Sequence, residues 1–318
     1  MNALKGIQLL LLCLLFVGCK NDNSKKGVSN VFNFKAYISN TSSGELSKAT
    51  SINITLAKEV SAWIPNEEIA KTILSISPKV EGTIVALNSR TIEFRPTENL
   101  KGNTEYTVTV DLAKIFPNVP KDLKNYTFKF KTKAQDFIIK TNEIQSYNSD
   151  WQYIEGVLNS ADVFTVSEAE KIVSAEQKGK KLTLKWDGEL SSKTNLLFRI
   201  DSIQKFENDS EVIVDWNGHS VGVANKGKNV IMIAGKNNFT ILSTKVVQSP
   251  EQYLQINFSD PLKKQQNFKG LVAIGNHRNL KHIVQGNLLK VYPQERIIGD
   301  VTINIFEGIK NTDGYKLK

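Results

Sequence analysis

The chain has 318 residues, with 41 Lys and Arg against 32 Asp and Glu and a formal charge of +9 at pH 7. At ~100–200 residues per domain this leaves room for two or three cored domains, and 40% hydrophobic with 23% charged residues excludes wholesale disorder. Eight Pro and nineteen Gly exclude a collagen-like chain, two Cys exclude a disulfide scaffold, and three scattered histidines (His219, His277, His282) leave almost no material for a zinc site.

The first elements read as export signals. Lys5 supplies a positive n-region, and Ile7–Val17 is almost wholly apolar. That run is shorter than the roughly 20 residues a membrane-spanning helix needs. It ends in Phe16-Val17-Gly18-Cys19, which resembles a bacterial lipobox. Residues 1–18 are therefore expected to be a lipoprotein signal peptide and Cys19 the lipidation site, with a plain secretory signal as the alternative. Cleavage removes Cys13 and acylation consumes Cys19, so the mature chain has no free thiol and holds its fold by packing. Lys20 after the Cys points, by analogy with bacterial sorting rules, to a lipid anchor in the outer membrane of the cell envelope. Residues 19–34, polar and rich in Ser and Lys, read as a flexible tether.

Beyond residue 34 the hydrophobic period is mostly two. Ser51–Leu56, Thr91–Phe94, Tyr106–Val110 and Tyr126–Lys131 alternate apolar and polar residues, and Gly, Pro or Asn marks most ends. Short alternating strands joined by turns predict an all-β chain of tandem β-sandwiches, divided as 35–134, 135–240 and 241–318. Lys129, Lys131 and Lys133 lie on one wet strand face, so the basic charge is spread out and no nucleic-acid partner is expected. Two short helices are predicted. One runs over Glu67–Leu74, capped by Asn66, and the other follows a capping-box pattern at Ser167–Glu170. Leu182–Trp186 and Glu211–Trp216 read as strands of the middle domain.

A repeat links the two ends of the chain. Ile92-Glu93-Phe94-Arg95-Pro96, Leu100, Gly102, Tyr106 and Val108 correspond to Leu289-Lys290-Val291-Tyr292-Pro293, Ile297, Gly299, Ile303 and Ile305 at a constant offset of 197. Physically this is a strand stopped by Pro, a turn closed at Gly, and a second strand. By this alignment the sequence stops at Lys318 where the last unit calls for its final strand, so the third sandwich is expected to lack that strand and the chain to be part of a longer one.

Several segments in order carry a family resemblance. They are Ala36–Ser39, Thr41–Ser47, Ile76–Gly82, Gln135–Phe137, Phe258-Ser259-Asp260-Pro261-Leu262 with Gln266, Gly270-Leu271, Gly286-Asn287, Val291–Pro293 and Gly308–Asn311 with Gly314. Together they resemble the N-terminal region of the large alpha-2-macroglobulin-like lipoproteins of Bacteroidetes-type bacteria, over residues 34–318. The flanking units also resemble Ig-like domains of bacterial surface-layer proteins. The resemblance implies Ig-like outer sandwiches, a macroglobulin-like middle one, and a role in a protease trap. Its partners would be a membrane through the lipid anchor, target proteases, and further macroglobulin domains C-terminal to this chain. The trap's thioester needs a Cys-x-Glu-Gln segment, which this sequence lacks, so the expected part is a non-catalytic stalk of a protease inhibitor.

No Gly-x-Ser-x-Gly elbow, Walker loop, HExxH or Cys-x-x-Cys occurs, so no enzyme, cofactor or catalytic residue is expected. Asp162, Asp215 and Asp260 sit next to turn residues. They read most simply as loop-capping acids, with Ca²⁺ ligand or general acid as the alternative, and Asp260 reads as a turn former. Trp186 and Trp216 read as core aromatics, or else as a carbohydrate-stacking surface. A stand-alone Ig-like surface lipoprotein that binds protein or glycan, with Trp151, Trp186 or Trp216 exposed, is the other functional expectation.

Overall fold

The computed structural model describes residues 27–317, so the expected signal peptide and the expected lipidation site Cys19 lie outside the described residues. The described residues fall into two compact units. The first takes residues 27–46, 50–100 and 105–131, and the second takes 47–49, 101–104 and 132–317.

The first unit is one antiparallel sandwich. Its strands are β1 (Ile38–Thr41), β2 (Glu45–Leu46), β3 (Ile52–Leu56), β4 (Glu67–Glu68), β5 (Leu74–Ser77), β6 (Gly82–Ala86), β7 (Thr91–Pro96), β8 (Glu105–Asp111) and β9 (Asn125–Thr132). One sheet has the order β1-β3-β7-β6-β4, the other β2-β9-β8-β5. Alternation makes the core directly: Ile52, Ile54 and Leu56 from β3 meet Tyr106, Val108 and Val110 from β8. Each such buried side chain stabilises by roughly 1.5–3 kcal/mol. The end of the expected tether is docked. Asn30 caps the one-turn α1 (Val31–Phe34), Ser29 hydrogen-bonds both backbone groups of Thr127, and Phe34 is buried against Tyr126 at 5.1 Å.

The helix expected over Glu67–Leu74 does not form. Asn66 has φ +67°, a left-handed turn rather than an N-cap, and Glu67 and Glu68 pair with Ala86 and Val85 as β4. Only Lys71–Ile73 makes a 3₁₀ turn before β5 begins. Sheet pairing there outweighs a weak helical periodicity.

The second unit holds two sandwich cores. The first of these comprises β10 (Phe137–Thr141), β11 (Gln145–Ser146), β12 (Trp151–Ser160), β13 (Val173–Gln177), β14 (Lys180–Lys181), β15 (Thr183–Asp187), β16 (Asn195–Gln204), β17 (Ser210–Asn217) and β18 (Lys226–Ile233). Sheets β10-β12-β16-β15 and β14-β13-β17-β18 enclose Ile154, Leu158, Phe198, Ile200, Val212 and Val214. The capping box lies two residues earlier than expected. Thr165 caps α2 (Val166–Ala169) and exchanges hydrogen bonds with Glu168, and by Val173 the chain is already strand.

The last core is built from β19 (Ile241–Val247), β20 (Tyr253–Phe258), β21 (Val272–Ile274), β22 (Leu280–Gln285), β23 (Leu288–Pro293) and β24 (Ile303–Ile305). Its larger sheet runs β19-β20-β23-β22, and β21 pairs with β24. Six strands of the first unit recur here, β1-β3-β7-β6 as β19-β20-β23-β22 and β5·β8 as β21·β24, while β2, β4 and β9 have no counterpart among the described residues. Pro96 and Pro293 end corresponding strands. Ile52 faces Phe94 as Leu254 faces Val291, all four in the cores. The 197-residue repeat is therefore one folding unit used twice.

Close backbone approach fixes one position in the middle sandwich. A Cβ on Gly156 would lie 2.3 Å from the Phe198 ring and 2.8 Å from the Lys140 carbonyl oxygen. Gly156→Ala should therefore cost about 1–3 kcal/mol, as overpacking does, read as a lower midpoint in urea unfolding.

Candidate functional site

The two sandwiches of the second unit meet through buried polar groups rather than through a wet linker. Lys205, at the end of β16, and Asp260, after β20, form an ion pair with side chains 1% and 3% exposed. Asp260 also accepts from Ser259 Oγ at 2.5 Å. Gln152 Nε2 donates to the Ser259 carbonyl at 2.8 Å and to Ser146 Oγ at 3.0 Å.

The second anchor is the hairpin Gly286-Asn287 between β22 and β23. Gly286 has φ +62°, the left-handed first position that a two-residue hairpin of this kind gives to Gly. The turn presents buried Asn287, whose Nδ2 lies within 3.1 Å of Ile144 O, Asn257 Oδ1 and Phe258 O, while its Oδ1 accepts from Ser146 N at 3.3 Å. Asn311 and Gln266 organise the neighbouring loops. Asn311 Oδ1 accepts from Asp313 N and Tyr315 N, and the Gln266 amide bonds both backbone groups of Lys310.

Asp260 therefore corrects the sequence reading. It is half of a buried ion pair and not merely a turn former. Its partner was missed because Lys205 lies 55 positions away with no local signature. Asp162 is a loop-holding acid. It accepts from Ser47 Oγ at 2.5 Å, Lys48 N at 2.6 Å and Val163 N at 2.8 Å. Burial pushes its carboxyl up, but these donors and nearby Lys133 outweigh burial and hold it below its ordinary 3.8. Asp215 is exposed on β17.

The indoles divide. Trp186 and Trp216 are half-buried against the middle core, Trp216 Nε1 donating to Asn225 at 3.1 Å, whereas Trp151 is 43% exposed. Near Trp151, Tyr147 and Tyr153 lie 4.5 Å apart, with Arg199 4.5 Å over Tyr153. Arg199 pairs with Glu155 at 2.6 Å, and Asp201 takes Tyr147 Oη at 2.7 Å and Lys185 Nζ at 2.5 Å. Burial first, and then the hydrogen bond to Asp201, raises the Tyr147 pKa. The charges of this face are partnered with one another and Arg199 covers one face of Tyr153, so it is a closed network rather than an open stacking platform.

The three histidines do not converge. Among the described residues no three His, Cys, Asp or Glu side chains gather to hold a metal ion, and no helix is long and apolar enough to cross a membrane.

Comparison with known proteins gives the fold. Residues 33–132, the first sandwich, match the bacterial Ig-like domain family. The chain is thus an all-β, Ig-like-domain protein. No curated protein matches it. Among solved structures it is similar to a tandem from titin (9% identity, 88% of this chain and 96% of that one, TM-score 0.28). It is also similar to the ectodomain of mouse nectin-like molecule 4 (8% identity, 80% and 88%, TM-score 0.28). A third is the S-layer protein SbsC (12% identity, 87% of this chain and 53% of that one, TM-score 0.19). Likenesses this distant carry no argument about function.

Two measurements check this site. Lys205→Met alone should cost about 3–5 kcal/mol in urea unfolding, because it leaves Asp260 buried without a counter-charge, and adding Asp260→Leu should recover most of the loss. For Asp162, whose native pKa lies below 3.8, the stabilisation is complete above about pH 5 and is lost as pH falls through the lowered native value. The stability gap between wild type and Asp162→Asn should therefore be constant above about pH 5 and close at lower pH.

Proposed function

We propose that the chain is the lipid-anchored, non-catalytic N-terminal stalk of an alpha-2-macroglobulin-like endopeptidase inhibitor, held in the bacterial cell envelope at the outer membrane through Cys19. One observation supports this reading above the others. Asp260 and Asn287, part of the ordered set that carries the family resemblance, join the last two sandwiches, and Gln266 and Asn311 from the same set brace loops of the last one. A stalk that carries a trap needs its domains held together, and a buried, hydrogen-bonded junction supplies that property. The bait and thioester chemistry would belong to further domains of the same molecule, and proteases would be the targets of those domains.

The other reading is a stand-alone Ig-like surface lipoprotein that binds protein or glycan. The exposure of Trp151 favours it.

An antibody to residues 27–317 separates the two readings in cells that make the protein. The stalk reading expects a membrane-associated band well above 35.6 kDa that gains SDS-resistant adducts on protease challenge. It also expects membrane association to be lost with Cys19→Ser, and no peptide cleavage or covalent adduct from purified 19–318. A band no larger than the 35.6 kDa of the 318 residues that ignores the protease would rule it out in favour of the binding lipoprotein.

A further inference from the structure

The repeat supplies an internal control for a second site. In the first unit the mouth between the sheets, at β5 and β6, is a small cleft of about 270 Å³ lined by Leu74, Ile76, Ile84 and Phe94 among others. There the short β4 pairs with Val85 and Ala86 at the outer edge of β6. In the last sandwich β22 takes the place of β6 and is the edge of its sheet, with no counterpart of β4 beside it among the described residues. The corresponding mouth, between β21 and β22, opens to about 1270 Å³. That exceeds the ~300–1,000 Å³ of ordinary small-molecule sites and suits an extended ligand.

The first cleft also carries Lys71, Lys79 and Glu81, the last two paired at 2.6 Å, but the larger cleft holds more positive charge and leaves it unpaired. Lys269, Arg278, Lys281 and Arg296 border the enlarged cleft against a single carboxylate, Glu251. All four cations are exposed, and among the described residues none of them makes an ion pair. Side-chain amides border the cleft beside the cations, Asn279 donating to Gln294 at 2.8 Å, while the Tyr292 ring packs 4.9 Å from that of Tyr253. His282 lies in the wall, its ring 5.7 Å from that of Phe268, and its buried Nε2 has no hydrogen-bond partner. Burial lowers the His282 pKa, so the ring is neutral at neutral pH.

We propose that this cleft binds an acidic oligosaccharide, a chain of carboxylate-bearing sugars. Separated cations along an open cleft match a repeating anion better than a single phosphate. The amides suit sugar hydroxyls, which a peptide of acidic residues does not offer. The exposed charges act mainly on specificity and encounter, so binding weakens with added salt.

Calorimetric titration of the full chain with hexagalacturonate tests the assignment, with maltohexaose as neutral probe and hexaglutamate as acidic peptide probe. The expected result is saturable binding of hexagalacturonate alone. Affinity should fall about tenfold or more in Arg278→Gln/Lys281→Gln, both exposed positions whose change leaves the melting temperature in place. Lys129→Gln/Lys131→Gln, on the first sandwich, should bind as wild type. Absence of saturable uronate binding overturns the proposal, and equal affinity for hexaglutamate overturns the saccharide assignment. Equal loss in the two double variants reduces the effect to net charge and overturns the site.

Discussion

The second unit depends on one buried ion pair. Lys205 and Asp260 are each almost fully withdrawn from water, an arrangement that is costly unless both charges are paired and further hydrogen-bonded. Ser259 and Gln152 supply those extra bonds, and Asn287 repeats the device a short way along the contact. Where two domains of one chain usually meet through a modest polar surface, this contact has the chemistry of an interior. Hydrophobic cores hold each sandwich. The polar junction fixes the relation between the last two.

Period-two alternation made the strands readable because each strand buries one face, and β3, β7, β8 and β9 all lie where the pattern puts them. The repeat was readable for a related reason, since a Pro-stopped strand and its return leave a local spacing that survives changes in every other residue. Of the two expected helices only one was readable, the capping box that leads into α2. Glu67–Leu74 has an apolar spacing compatible with one, but a left-handed Asn66 and the open edge of β6 draw it into the sheet. At the junction the sequence displayed half of the chemistry. Asp260 and Asn287 stand in recognisable segments, while Lys205 and Gln152 are an ordinary lysine and glutamine until the fold brings them across.

Duplication of one unit also explains how the chain carries two surfaces of different kinds on the same topology. Where β4 pairs with the end of β6 the mouth is narrow, and where that strand has no counterpart among the described residues the same mouth is wide and cationic. Edges are normally hazards that folds cover or charge. Here the charges that protect the edge are also what a ligand of opposite sign would meet. The stalk reading and the cleft reading are independent, since one rests on the junction and the other on the opening between β21 and β22.

The junction also orders events during synthesis. The buried residues of the middle core end at Ile233, and Leu242 is the last side chain to pack against it, all before Asp260 or Asn287 exists. Until then Lys205 and the Ile144 carbonyl stay solvated at its surface, and nothing in that core needs them. Each later arrival trades water for a protein partner, so the last sandwich matures against a finished template. Chains that release domains from the ribosome in order gain from this arrangement. The expensive burial of charge is deferred until both charges are present, and a nascent chain arrested before residue 260 carries a hydrated lysine instead of a defective core.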